Sequence, residues 1–106
     1  MKGMGNMGNL MRQAKKLQED LEKKQAEIAE MKIETSAGGG MVTATVNGRG
    51  ELSNLSIERE VVDPEDVEML VDLILAAVQE AQSNAQKKAQ EMLGPLTQGM
   101  NIPGMP

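Results

Sequence analysis

The chain has no phenylalanine, tyrosine or tryptophan. Its core must therefore be built from Leu, Ile, Val, Met and Ala. The ring faces on which single-stranded bases or RNA loops stack are also missing. There is no histidine, which removes the usual general base and the commonest metal ligand. There is no cysteine, hence no disulfide frame and no thiolate site. No apolar run approaches the ~18 residues of a membrane span. The N-terminus has Lys2 but no apolar h-region, so it does not read as a secretory signal. A soluble cytoplasmic protein is expected.

What is there is small. At 106 residues the chain is one domain at most. Residues 1–9 carry three glycines and no apolar period, and residues 94–106 carry three glycines and three prolines. Both stretches read as flexible tails around a single domain over 10–93. A core of that size without rings is marginal, which favours help from a second subunit. The net charge is −5, unevenly spread. Residues 1–32 hold seven basic and five acidic groups, whereas residues 33–80 hold two and ten. Such a field can attract a polyanion to one region and repel it from another.

Asn9 is a suitable N-cap for a first helix that runs to about Met31 or Lys32. Leu10, Ala14, Leu17, Leu21, Ile28 and Met31 form an apolar seam, and Lys24 interrupts it. Arg12, Lys16 and Lys23 cluster on the opposite side, with Lys15 beside them. The period then changes to two. Ile33 to Ser36, Met41 to Val46 and Glu51 to Ile57 read as three strands of an antiparallel meander. Gly38 to Gly40 make the first turn, and Asn47-Gly48 is a hairpin signal because both residues tolerate φ > 0. Asp63 and Pro64 suit the N-cap and first position of a second helix, which Gly94-Pro95 should stop after Leu93. Val67, Leu70, Val71, Ile74, Leu75 and Val78 would cover the sheet. Met69, Leu73, Ala76 and Ala77 widen the apolar arc beyond it. A helix apolar over most of its circumference needs a second partner, so these four residues are expected at a dimer interface. The fold class is α+β.

Little supports catalysis. A phosphate loop needs glycines that open a helix, with a Lys at their end. Gly38 to Gly40 lead instead into a strand. Glu58, Glu60, Asp63, Glu65, Asp66 and Glu68 form an acidic run without a defined ligand spacing, best read as a solvated face and a helix cap. The serines and threonines have no base to activate them. No catalytic residue, metal or cofactor is expected. Arg12, Lys15, Lys16, Lys23 and Lys24 can neutralise phosphates. They can equally pair along their own helix, as Lys15–Glu19, Glu19–Lys23 and Lys23–Glu27.

The run Met11-Arg12-Gln13-Ala14-Lys15-Lys16-Leu17-Gln18 is followed by Ser36-Ala37-Gly38-Gly39-Gly40-Met41-Val42 and by Val46-Asn47-Gly48. With Asp63 to Asp66 and the tail from Gly94, this order resembles the YbaB/EbfC family of bacterial nucleoid-associated proteins. The resemblance covers nearly the whole chain. It implies α-β-β-β-α subunits in a tweezers-like homodimer that binds duplex DNA and alters its conformation. It also implies a role in nucleoid organisation and gene regulation, in the cytoplasm or nucleoid. DNA contact would fall to the helical arms, at Arg12, Lys15, Lys16, Lys23 and Lys24, and at Lys87 and Lys88. The alternative is a dimeric adaptor in DNA replication or repair. Its arms would bind a protein through Leu10, Leu17, Leu21 and Ile28.

Overall fold

A computed structural model describes residues 2–97. The order is α1 (Lys2–Glu30), β1 (Ile33–Ala37), β2 (Val42–Val46), β3 (Leu52–Ile57) and α2 (Val67–Thr97), with a single 3-10 turn at Arg59–Val61. The three strands form one antiparallel sheet in the order β1-β2-β3. The α-β-β-β-α order and the meander agree with the expectation. Both helices are longer than expected. α1 already begins at Lys2, well before Asn9. α2 runs through Gly94 and Pro95 to Thr97. Pro95 is tolerated because it sits in the last turn, where the missing N–H costs a single bond. There the Thr97 hydroxyl donates to the Leu93 and Gly94 carbonyls at 3.3 and 3.2 Å. Residue 1 and the rest of the expected C-terminal tail, 98–106, lie outside the described residues.

The sheet has two unlike faces. Val42, Ala44 and Val46 of β2 are fully buried. Their partners across the ladders share that face: Ala37, Thr35 and Ile33 on β1, and Ile57, Leu55 and Leu52 on β3. The other face carries Glu34, Ser36, Thr43, Thr45, Asn54 and Ser56. It is stitched by hydroxyls, with Ser36 and Thr43 at 3.2 Å and Thr45 Oγ1 donating to Glu34 at 3.4 Å. Gly38, Gly39 and Gly40 all have positive φ and form the β1–β2 turn that leads into β2.

α2 lies across β1 and β2. Its start differs from the expected cap at Asp63. The Asp63 carboxylate instead accepts the Glu65 N–H at 3.0 Å, and the Asp63 carbonyl accepts the Asp66 N–H at 3.0 Å. This tight turn leaves Asp66 as the N-cap, with its carboxylate accepting the Met69 N–H at 3.3 Å. The face of α2 turned to the sheet continues through Ala81 and Ala85, which lie on the expected stripe, but it is shifted from that stripe to take in Ala77 and Leu73. Ala77, Ala81 and Ala85 are fully buried there, with Leu70, Leu73, Ile74 and Val78 half-buried around them. Of the expected stripe, Val67, Val71 and Leu75 are 56%, 46% and 50% exposed. Alanines let the helix axis approach the sheet closely, and the larger residues are turned to the flank. A buried polar contact helps to fix this docking: the Thr35 hydroxyl donates to the Ala77 carbonyl. Thr35→Val should cost about 1 kcal/mol in a denaturant titration, the net worth of one such bond.

α2 runs the length of the sheet. Leu73 lies against Gly38, Ala77 against Thr35, and Gln82 against Gly50. Beyond Gly50 it leaves the sheet and continues beside α1. The two helices form an arm, and the described residues extend over 79 × 26 × 17 Å. α1 is fastened at the root of that arm. Its Ile28 carbonyl accepts the Gly48 N–H at 2.9 Å and the Met31 N–H at 3.2 Å, and Ile28 is buried. The β2–β3 loop is therefore not a two-residue turn at Asn47-Gly48. It spans Asn47 to Glu51, which are joined by a 3.0 Å N–H···O bond, and its positive φ falls on Gly50. The Asn47 side-chain oxygen accepts the Arg49 and Glu51 N–H groups at 2.9 and 3.1 Å. Gly48 is glycine for closeness: a Cβ there would stand 2.2 Å from the Ile28 carbonyl oxygen.

Candidate functional site

The arm carries the cations singled out in the sequence. Arg12, Lys16 and Lys23 fall within about 40° of one another on α1 at ~100° per residue. All three are exposed, as is Lys15. Lys24 lies to the side, half-buried, with its Nζ 3.3 Å from Glu27. Lys87 and Lys88 are exposed on the part of α2 that runs beside α1. Lys24–Glu27 is the only ion pair among the described residues. The pairs Lys15–Glu19, Glu19–Lys23 and Lys23–Glu27 are not formed there. The row at Arg12, Lys16 and Lys23 thus keeps its charge available to an outside anion.

The acidic run sits at the opposite end. Glu58 to Glu68 lie between the end of β3 and the start of α2, by the Gly38 turn, whereas the arm leaves from the Gly48 loop. Asp63 and Asp66 are occupied in capping backbone N–H groups. Among the described residues, no group of three or more carboxylates is placed to hold a metal ion. A chain polarised in this way has a field that favours a polyanion at the arm over one at the acidic end.

The apolar surface divides differently from the expected dimer patch. Ala77 is fully buried under the sheet, so it belongs to the chain's own core. Leu73 is half-buried against Gly38. Met69 and Ala76 remain on the surface, Met69 at 41%. A second uncovered area has no counterpart in the sequence expectations. α2 covers β1 and β2 but leaves the inner face of β3 open. Leu52 of β3 is 48% exposed, and Leu55 and Ile57 are only half-buried. Val71 and Leu75, about half exposed, fall within about 20° of Gln82 on α2 at ~100° per residue. Gln82 reaches Gly50 of the β2–β3 loop, so this flank is turned toward β3, with Val67 exposed a turn earlier. The seam of α1 is mostly consumed within the chain: Leu17 and Leu21 are half-buried beside α2 and Ile28 is buried, leaving Leu10 61% exposed. A protein-binding arm that uses all four residues would first have to separate α1 from the rest of the chain.

Arg49 is a residue that sequence reasoning misses, because it looks like a hairpin tip. Its loop borders a cavity of about 380 Å³ at the root of the arm, lined by Gly48, Arg49, Gly50, Gln82, Gln86, Ala89 and Gln90. The signal available is the four-residue spacing of Gln82, Gln86 and Gln90 along one side of α2.

No helix among the described residues is long and apolar enough to cross a membrane. In fold, the chain is similar to an uncharacterized protein from Helicobacter pylori. The TM-score is 0.73 at 20% identity, over 82% of this chain and 91% of that one. In sequence it is similar to a nucleoid-associated protein of Alkaliphilus metalliredigens, 51% identical over 99% of this chain and 92% of the relative. It is likewise 52% identical to a nucleoid-associated protein of Streptomyces avermitilis, over 98% and 95% of the two chains. Residues 4–100 match the model of the YbaB/EbfC DNA-binding family. With the family's model spanning both arm helices and the sheet between them, the chain belongs to the YbaB/EbfC DNA-binding family.

Proposed function

We propose that this protein is a nucleoid-associated homodimer that binds duplex DNA along its arms and changes the path of the duplex. Its place would be the nucleoid, and its role the organisation of DNA and, through that, gene regulation. The observation that carries the reading is the row Arg12, Lys16 and Lys23, exposed and free of ion pairs among the described residues, on an arm that projects from an acidic body. Arg and Lys on such a row contact phosphates, which positions the duplex without reading its sequence. A partner subunit supplies a second arm. The uncovered inner face of β3 with the flank of α2 supports that pairing better than the patch at Met69, Leu73, Ala76 and Ala77.

The test is a mobility shift on a mixed-sequence duplex, titrated with salt. Arg12→Glu with Lys16→Glu should weaken binding tenfold or more, roughly, near ~0.1 M salt. The slope of log affinity against log salt should flatten by about 0.9 for each phosphate that the variant no longer neutralises. Unchanged affinity in the double variant, or wild-type binding that ignores salt, would overturn the reading.

A further inference from the structure

The cavity at the root of the arm is chemically distinct from the cationic row on α1. Its lining contains one cation, three amides, two glycines and an alanine, and none of its lining residues is acidic. Arg49 is exposed and makes no ion pair among the described residues. The nearest carboxylate along the chain, Glu51, is engaged by the Asn47 side-chain amide at 2.9 Å. The wall is held in place from within. Gln82 Nε2 donates to the Gly50 carbonyl at 3.0 Å, tying α2 to the loop that carries Arg49. The Asn47 side-chain oxygen fixes the same loop by accepting the Arg49 N–H at 2.9 Å. Gln86 and Gln90 continue that wall at the same four-residue step. A planar guanidinium offers a fork of donors that matches phosphate oxygens, and neutral amides add donors without adding charge.

Position adds a second argument. Val71, Leu75, Gln82 and Gln86 fall within about 60° of one another on α2 at ~100° per residue. The cavity therefore continues, along the arm, the flank that α2 leaves uncovered beside β3. In a dimer closed on that flank, the cavity would lie on the partner-facing side of the arm's root.

We propose that this cavity holds a backbone phosphate of the bound duplex, with Arg49 as the charged contact and Gln86 and Gln90 as neutral donors. The site rests on the duplex-binding reading above and extends it from the outer face of α1 to the root of the arm. Phosphate contacts at both places grip the duplex over the length of the arm.

Fluorescence anisotropy of a labelled duplex across a salt series, with the full chain, separates the possibilities. Arg49→Gln should weaken binding about tenfold near ~0.1 M salt and flatten the salt slope by roughly 0.9 per phosphate released. Arg59→Gln removes the same charge at the far, acidic end and should stay within about twofold. Gln86→Ala with Gln90→Ala should lower affinity and leave the salt slope unchanged, because amides release no counterions. Equal behaviour of Arg49→Gln and Arg59→Gln overturns the site. If the Arg12 and Lys16 reversals weaken binding while Arg49→Gln does not, the arm reading stands and the cavity has no part in it. A wild-type chain that binds no duplex overturns both.

Discussion

Val71→Asp with Leu75→Asp is expected to turn a dimer into a folded monomer. Both side chains are about half exposed in the subunit, at 46% and 50%, so the subunit itself should tolerate the change. Covering the exposed halves of Leu52, Val67, Val71 and Leu75 is worth about 1 kcal/mol each, and a symmetric interface counts them twice. A carboxylate at the centre of that interface would be buried without a partner, which costs several times as much as covering one such side chain gains, roughly. Light scattering on an eluting size-exclusion peak reads the mass, and far-UV circular dichroism reads the helices. The mass should halve with the helical signal kept. Affinity for duplex DNA should drop about 100-fold, because two linked arms bind more tightly than either arm alone. A double variant that keeps the dimer mass would place the interface elsewhere. A monomer that binds duplex as tightly as wild type would end the two-arm mechanism.

Gly48→Ala is expected to be strongly destabilising for a single added methyl. Its Cβ would stand 2.2 Å from the Ile28 carbonyl oxygen, 2.5 Å from Ile28 Cγ2 and 2.6 Å from Met31 Cε. The methionine can move aside, but the carbonyl cannot without breaking the 2.9 Å bond that fastens α1 to the sheet. The cost is about 2–3 kcal/mol, combining overpacking with a broken hydrogen bond. For a domain of this size, that lowers the melting midpoint by roughly 10–20 °C. Gly8→Ala is the control. Gly8 sits in α1 with open space around it and should be neutral or slightly stabilising, since alanine favours a helix. A melting curve that moves equally little for both would show that the close approach is not a constraint.

Much of this molecule is legible in its sequence, and the exceptions share a cause. The three strands are visible because Val42, Ala44 and Val46 alternate with threonines and because glycines punctuate both turns. The helices are visible by their period, but their ends are less so. Gly94-Pro95 looks like a stop, yet the Thr97 hydroxyl and a terminal position make the proline harmless. The buried face of α2 is legible at Ala81 and Ala85 but misplaced at Ala77, because hydrophobicity weights Val67, Val71 and Leu75 above a lone alanine. Close packing on a sheet prefers the small residues, and the large ones are left for another surface. Gly48 looks like a conformational residue, although what the fold requires of it is the absence of a side chain toward Ile28, which lies far off in sequence. Arg49 is invisible for the same reason, since its neighbours on α2 are more than 30 residues away. The cations of α1 can be named from the sequence, but their freedom from Glu19 and Glu27 cannot.

The fastening of α1 at Gly48 also sets the mechanics of the arm. From Ile28 to Lys2 the helix reaches about 40 Å, so a tilt of ~10° at its root carries the tip about 7 Å. α2 braces the lower part, where Leu17, Leu21 and Ile28 are covered, while Met7, Leu10 and Met11 toward the tip are uncovered. The arm is thus a lever, braced near its fulcrum and uncovered farther out. In the proposed dimer, two such levers would form a gauge whose aperture follows the width of the duplex between them.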